Sequence, residues 1–500
     1  MRALISLTDK SNLEYLASNL KELGYEIIST GGTLKKIREL GIDAIPVESV
    51  TNFKEILGGR VKTLSPYIHG AILYRRDNED DLETIKEENI QPIDMVVVNL
   101  YDFAGALKSG DHENIVENID IGGPTLIRAA AKNYKDVLVV TDVQDYEEVI
   151  ERIKEEKIDL EFREKLATKA FNLTAYYDSN ISRYFMNRTK SETKYLNFGF
   201  EKLEDLRYGE NPAQKATLYK DNMLNSYFSN FEIIHGKKMS FNNYNDLNVA
   251  VEIVSELGEN SVAAIKHATP CAVAHKDNLK ESYLAAYNSD STSIFGGIVA
   301  LNGVMEADLA EELSKIFLEI IAASDFTPEA LEILEKKKNI RLIKMDFKLK
   351  KSDLDVKQIN GIVLTQERDN AEDEYNVVTE KTPTLSEKKD LLFAMKVVKH
   401  VKSNAIVAVK DMTTVGIGGG ETSRVWALQN IREHYDRDFT GAVLASDAFF
   451  PFDDCVTLAG EMNISAIIQP GGSMRDEDSI KKCNELSIAM VFSKNRHFKH

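Results

Sequence analysis

The sequence predicts an α/β protein: a parallel sheet covered by helices in the first 140 residues, then two related α/β subdomains. Three observations carry this. Short apolar runs alternate with helix-period segments as far as residue 140. A 21-residue block recurs without a gap 144 residues further along. The chain of 500 residues also exceeds what one hydrophobic core ordinarily serves, so roughly two to four domains are expected.

Taken in order, "ALISL" and "YEIIST" read as buried strands, and "SNLEYLASNLKEL" and "GTLKKIREL" as the helices that follow them. "MVVVNL" and "DVLVVTD" extend the same sheet. In such sheets ligands bind where strands end and helices begin. From Phe162 through Leu166, Ala170, Leu173, Tyr177 and Ile181 to Tyr184, apolar residues recur every three or four positions, which predicts one amphipathic helix face. That period is lost beyond about residue 186, so a domain boundary is expected between 190 and 200, dividing the chain into 1–195 and 196–500.

In the second part, "DLNVAVEIVSELGENSVAAIK" (246–266) aligns with "DLLFAMKVVKHVKSNAIVAVK" (390–410) with 7 of 21 positions identical. Each copy reads as a helix, a turn at Asn260 or Asn404, and a buried strand ending in Lys266 or Lys410. The next residue is His267 in one copy and Asp411 in the other, so the copies diverge where chemistry would sit.

Composition narrows the function. With 43% hydrophobic and 28% charged residues and only 10 prolines, the chain reads as globular throughout. A net charge of −18 argues against a broad nucleic-acid footprint, and anionic ligands must be held by local groups. Three widely separated cysteines, Cys271, Cys455 and Cys483, suit reduced thiols and a cytoplasmic protein. No secretory signal and no membrane-spanning run is read in the sequence.

The motifs are weighed against simpler readings. Pro270 and Cys271 begin a P-C-x-x-C pattern, but Ala274 stands where its second cysteine belongs, and no metal is expected. "VGIGGGETSR" fails the dinucleotide fingerprint at Glu421 and reads as a tight strand-to-helix turn. "STGGT" (29–33) opens a helix after a strand, which suits either a phosphate cradle or an ordinary helix start. Arg60, Lys62 and Thr63 add positive charge on a glycine-rich stretch. Asn99 and Tyr101 follow a buried strand, and "NIDIGGPTLIRAAAKN" carries Asp120, Gly122, Gly123 and Lys132. Taken singly, Asp120 reads as a helix cap and Lys132 as a solvated last-turn lysine.

Together these stretches, with "SLTDKSNL", "LRYGENP", "KHATPCAVA", "SIFGGIVALN", "SDAFFPF", "IIQPGGSMRD" and "RHFKH", resemble the bifunctional purine biosynthesis family. Its members have phosphoribosylaminoimidazolecarboxamide formyltransferase and inosine monophosphate cyclohydrolase activities. The resemblance covers nearly the whole chain. It departs at Ser65, Asp102, Thr269 and Glu421, where His, Pro, Asn and Gln are usual.

The resemblance implies an N-terminal methylglyoxal-synthase-like Rossmann-type domain, for the cyclohydrolase. Two tandem cytidine-deaminase-like α/β subdomains without zinc would follow, for the transferase. It also implies 10-formyltetrahydrofolate as co-substrate and a homodimer with transferase sites at its interface. His267 would take the proton from the attacking amine and Lys266 would stabilise the oxyanion. Arg207, Tyr208, Asn243, Gly296, Asp325, Asn404, Phe449, Arg496 and Phe498 would line the nucleotide and folate pockets, with Asp454 a folate-side carboxylate. For ring closure, Lys62 would stabilise the oxyanion, while Tyr101, Asp120 and Lys132 position the amide and relay protons. Ser6, Thr8, Lys10, Thr30, Gly31, Gly32, Thr33, Arg60 and Thr63 would hold the ribonucleotide, and Asn99 would orient the base. Two other classes compete: a metabolite sensor that binds without turnover, and an enzyme with one degenerate half.

Overall fold

A computed structural model describes residues 1–348 and 353–500. Its contacts divide the chain into two units. One holds Met1–Glu201 together with Asp221–Met223, and the other holds Lys202–Lys220 and Leu224–His500.

The first unit is built on a five-stranded, wholly parallel sheet in the order Ala44–Pro46, Glu26–Ser29, Arg2–Ser6, Met95–Val98, Leu138–Val140. Its central strands bury nearly every side chain, as strands covered on both faces must. The helix Leu160–Thr189 runs 30 residues and buries Phe162, Leu166, Ala170 and Tyr177, the face its apolar period marked out. Helix Gly31–Glu39 follows strand Glu26–Ser29 directly, and helix Gly122–Lys132 starts two residues after Asp120. Both helix starts lie at the carboxyl edge of the sheet.

The second unit contains a twelve-stranded mixed sheet. From one end its order is Asn376–Val377, Ala489–Phe492, Ala466–Gln469, Val443–Ser446, Ile406–Lys410, Thr413–Gly418, Thr269–His275, Ser261–Lys266, Ile298–Met305, Ile320–Phe326, Arg341–Lys344, Glu232–His235. Read outward from the middle, the six strands of each half occur in the same chain order. The repeated block supplies helix Phe241–Leu257 and strand Ser261–Lys266 in one half, and helix Leu385–Val398 and strand Ile406–Lys410 in the other. The halves join at Ala274 opposite Thr413, with His275 N donating to Met412 O at 2.9 Å. A separate exposed hairpin, Leu354–Ile359 with Ile362–Glu367, stands apart from this sheet. No helix among the described residues is long and apolar enough to cross a membrane.

Candidate active sites

At the carboxyl edge of the five-stranded sheet lies a cleft of about 650 Å³. Ser6, Thr8, Lys10, Thr30, Gly31, Gly32, Thr33, Arg60, Lys62, Thr63, Asn99, Tyr101 and Asp120 all line it. The hydroxyls are knitted to the strand ends: Ser6 Oγ lies 3.0 Å from Thr30 Oγ1, while Thr33 Oγ1 accepts from Leu7 N and donates to Leu7 O, both at 2.9 Å. Thr30 caps helix Gly31–Glu39 in an extended conformation without using its side chain. The helix's first amide N–H groups thus remain for an anion, favoured there by the helix dipole.

Asn99 ties the first loop down: its Oδ1 accepts from Thr8 N at 2.6 Å and from Asp9 N at 3.2 Å, while its Nδ2 donates to Asp9 O at 2.8 Å. A side chain expected to orient a ligand therefore also orders the loop that carries Thr8 and Lys10.

Lys62 crosses between the two glycine-rich segments. A Cβ on Gly31 would lie 3.4 Å from its Nζ, and one on Gly59, whose φ is +93°, would lie 2.8 Å from its Cε. Any larger residue at 59 would displace the amine and strain the backbone. The Lys62 ammonium pairs with Glu55 Oε2 at 3.1 Å, and Arg60 pairs with Glu117. Neither carboxylate was anticipated from the sequence: the Glu55–Lys62 pair needs their loop to close at the Ile56–Val61 bridge, and Arg60 meets Glu117 from a segment 57 residues away.

Asp120 faces these cations from the start of helix Gly122–Lys132 and accepts from Gly123 N at 2.8 Å. Burial pushes its carboxyl up, opposed by backbone N–H groups of Gly123, Gly122 and Tyr101. Tyr177 on the long helix steadies this turn, its Oη accepting from Asp120 N at 2.8 Å and donating to Asn118 O at 3.2 Å. Lys132 does not line the cleft. It is exposed on the last turn of the same helix, roughly 15 Å along at 1.5 Å per residue.

In the second unit, strand Ser261–Lys266 ends in a two-residue turn. His267 and Ala268 have φ of +56° and +54°, and strand Thr269–His275 returns. This is the geometry of a type I′ hairpin, here without the usual Asn-Gly pair. It lets adjacent Lys266 and His267 escape the opposite-face rule of a continuing strand. The other copy makes the same turn at Asp411 and Met412, with φ of +52° and +54°. Each turn is held by the first residue of the repeated block. Asp246 accepts from His267 N at 3.3 Å and Ala268 N at 2.7 Å, and Asp390 from Asp411 N at 2.9 Å and Met412 N at 2.6 Å. The two lysines are also alike, Lys266 Nζ donating to Phe295 O at 3.1 Å and Lys410 Nζ to Thr440 O at 2.8 Å.

Strand register puts Lys266, His267 and Gly296 along one edge of the twelve-stranded sheet. Asn404, Phe449, Asp454, Arg496 and Phe498 follow strand ends or adjoin them along the same edge. Arg207, Tyr208 and Asn243 line a cleft of about 620 Å³ there with Lys237, Lys238 and Arg341, which the sequence reading had missed. Phe317 lines this cleft too, and its carbonyl accepts from Gly296 N at 2.8 Å. Asn243 shares a reciprocal cap with Ser240, so it also fixes the start of its helix.

Asp325 stands at the opposite edge, roughly 17 Å along its strand at 3.3 Å per residue, paired with Lys344 at 2.8 Å. This chain alone does not bring Asp325 to the others. No cluster of metal-ligating side chains occurs among the described residues.

The departures have local explanations. Ser65 caps helix Pro66–Leu73 by accepting from Tyr67 N, and Asp102 caps helix Phe103–Leu107 by accepting from Gly105 N at 2.8 Å. Glu421 accepts Asn404 N and Nδ2 on its backbone carbonyl and Asn430 Nδ2 on its carboxylate. Thr269 Oγ1 donates to His267 O at 3.4 Å across the turn.

Comparison with known proteins gives two family matches: the AICARFT/IMPCHase bienzyme over residues 130–433 and the MGS-like domain over residues 12–125. Full-length relatives named bifunctional purine biosynthesis protein PurH are similar throughout. That of Clostridioides difficile (strain 630) is 52% identical, covering 100% of this chain and 99% of its own. Those of Clostridium botulinum (strain Hall) and Caldicellulosiruptor saccharolyticus are each 51% identical with the same coverage.

Proposed function

Because the chain belongs to the AICARFT/IMPCHase bienzyme family and carries out the last two steps of purine biosynthesis as a formyltransferase and inosine monophosphate cyclohydrolase, we propose how its residues divide the two reactions. Residues 1–195 carry ring closure and residues 196–500 carry formyl transfer.

The first step moves a formyl group from 10-formyltetrahydrofolate to the 5-amino group of 5-aminoimidazole-4-carboxamide ribonucleotide. That amine is a weak nucleophile, since its lone pair is delocalised into the ring. His267 accepts its proton as the C–N bond forms, and the Lys266 ammonium stabilises the tetrahedral oxyanion, whose collapse breaks the bond from the formyl carbon to N10, which takes up a proton as tetrahydrofolate leaves. Lys266 has three N–H donors, so its bond to Phe295 O leaves others for the oxyanion. Arg207 and Arg496 offer planar forks to anionic groups, and Tyr208, Asn243, Gly296, Asn404, Phe449, Asp454 and Phe498 complete the pockets. Asp325, at the far edge of the sheet, serves a site completed by a second copy; this supports a homodimer with transferase sites at its interface.

In the second step the carboxamide nitrogen attacks the formyl carbon and water leaves. Lys62 stabilises the developing oxyanion, and Asp120 and Tyr101 orient the amide and pass protons. Asp120's raised carboxyl brings proton exchange nearer neutrality. Ser6, Thr8, Lys10, Thr30–Thr33, Arg60 and Thr63 hold the ribonucleotide phosphate at the helix start, and Asn99 orients the base. Lys132 acts from outside the cleft or at a neighbouring copy.

The observation that carries this reading is the convergence of Lys10, Arg60, Lys62 and Asp120 on one glycine-rich helix start, in a chain whose net charge is −18. Three buried, unpaired cysteines support a cytoplasmic setting. The test is direct: purified protein given the aminoimidazole ribonucleotide and 10-formyltetrahydrofolate should yield inosine monophosphate by chromatography. Binding without turnover would overturn the proposal.

A further inference from the structure

The turn that presents His267 is unusual in its residues. Type I′ turns favour Asn-Gly because both positions need positive φ, yet here a histidine and an alanine take them. Histidine tolerates that backbone better than most residues, but alanine does not favour it. Something else must hold it.

Asp246 does so by receiving both turn N–H groups on one carboxylate, Oδ1 from Ala268 and Oδ2 from His267. One carboxylate accepts both bonds, and burial raises its pKa against the opposing effect of these N–H groups. The residue sits within the second turn of helix Phe241–Leu257, so the helix is the lever that fixes the turn. The structure contains its own control. Asp390 makes the same pair of bonds to a turn of the same shape whose first residue is Asp411, with no imidazole.

We propose that Asp246 is a positioning residue for formyl transfer: its carboxylate locks the His267–Ala268 turn in the left-handed geometry that carries the imidazole to the Lys266 edge of the sheet. The inference rests on the assignment of His267 as the base. Asp390, holding an equivalent turn, affects stability alone.

The experiment uses the full-length protein and four variants, Asp246→Asn, Asp390→Asn, His267→Ala and Asp246→Asn/His267→Ala. Formyl-transfer kcat and KM, cyclisation of supplied formylated intermediate and thermal unfolding are measured for each. An asparagine keeps one acceptor but turns an NH2 against the second turn N–H. Asp246→Asn should lower transfer kcat at least about 10-fold with KM changed much less, the signature of a misplaced reacting group. Cyclisation should stay normal. Asp390→Asn should lose comparable thermal stability yet alter transfer less than twofold. The double variant should be no slower than His267→Ala alone, because a positioning effect vanishes with the group positioned.

Equal losses of transfer in the two Asp→Asn variants would overturn the proposal, as would full additivity in the double variant. If His267→Ala transfers normally, the base assignment falls and the positioning role with it. If His267→Ala is inactive while Asp246→Asn is normal, only the positioning role falls. Should Asp246→Asn fail to fold, Asp246→Asn/Ala268→Gly decides, since glycine accepts positive φ. Its transfer rate should lie below that of Ala268→Gly alone, and equality would overturn the proposal.

Discussion

Lys62 reaches across two glycine-rich loops to stand beside the start of a helix, and its amine is held there by Glu55. In the role we propose for it, an oxyanion donor is worth roughly 100- to 1,000-fold in rate. Lys62→Ala should therefore lower cyclisation by about that factor while formyl transfer continues, read by following each half-reaction separately. The lysines of the repeat make a second comparison. Lys266 and Lys410 bond equivalent backbone carbonyls, so both substitutions to Met should cost similar stability. Only Lys266→Met should lower transfer per folded molecule, because Asp411 beside Lys410 supplies no imidazole. Equal kinetic losses would remove the assignment.

At this scale the cradle residues were legible, since hydroxyls and glycines cluster where apolar runs stop. Glu55 and Glu117 were not: Glu55 meets Lys62 only when the Ile56–Val61 bridge closes their shared loop, and Glu117 meets Arg60 from a distant segment. Lys237, Lys238 and Arg341 escaped because they converge from two segments about 100 residues apart.

Among the elements, the C-terminal segment after strand Ala489–Phe492 carries Arg496 and Phe498 and is pinned by the residue between them. His497 is 1% exposed, with Nδ1 2.5 Å from Asp369 Oδ2 and Nε2 3.0 Å from Asp373 Oδ1. Burial alone would lower its pKa, but the hydrogen bonds and charges of Asp369 and Asp373 outweigh burial and hold it at about 9, above its usual 6.5. A raised folded-state value means the imidazolium's stabilisation is full below about 6.5 and is lost as pH rises through about 9. Amide hydrogen exchange corrected for intrinsic rate should show this segment opening more between those pH values. His497→Gln should be destabilised at low pH and lose that dependence; an unchanged dependence would count against the clamp. The "RHFKH" motif marked Arg496 and Phe498, but nothing in the sequence pointed to Asp369 and Asp373, more than 120 residues away.

The hairpin turns show another limit of reading by element. The strands and their lysine ends were evident from apolar periodicity, yet "HA" and "DM" carry no Asn-Gly signal. Their left-handed geometry depends on carboxylates from a preceding helix. The long helix was readable because Phe162, Leu166, Ala170 and Tyr177 repeat at helical spacing and all end up buried.

For the molecule as a whole, the repeat visible over 21 residues belongs to two six-strand halves with the same strand order about a central seam. Matching residues are dense only in the helix, turn and strand of that block, and beyond it they are scattered, as at Thr269 and Thr413 or Val299 and Val443. The outer strands preserve order through apolar character alone, which any core strand shares. The first unit ends close to where helical period is lost, but it also takes in Asp221, which binds Arg183 Nη1 at 2.9 Å and Nη2 at 2.6 Å. A fragment of residues 1–195 lacks that partner. It should unfold at a lower temperature than residues 1–223, yet both should close the ring of supplied intermediate, and Lys62→Ala should abolish this in each. A folded fragment that binds product and never forms it would place essential cyclohydrolase groups elsewhere.

The central claim is that one chain carries two chemistries in two separate residue clusters, around Lys62 and around His267. The most direct measurement gives full-length Lys62→Ala and His267→Ala the aminoimidazole ribonucleotide with 10-formyltetrahydrofolate, and in parallel the formylated intermediate, and resolves the products chromatographically. Lys62→Ala should accumulate the formylated intermediate and form little inosine monophosphate from either supply. His267→Ala should form almost none from the first supply and a normal amount from the second. A folded variant of either kind that loses both reactions together, or keeps the one assigned to its cluster, would contradict the account.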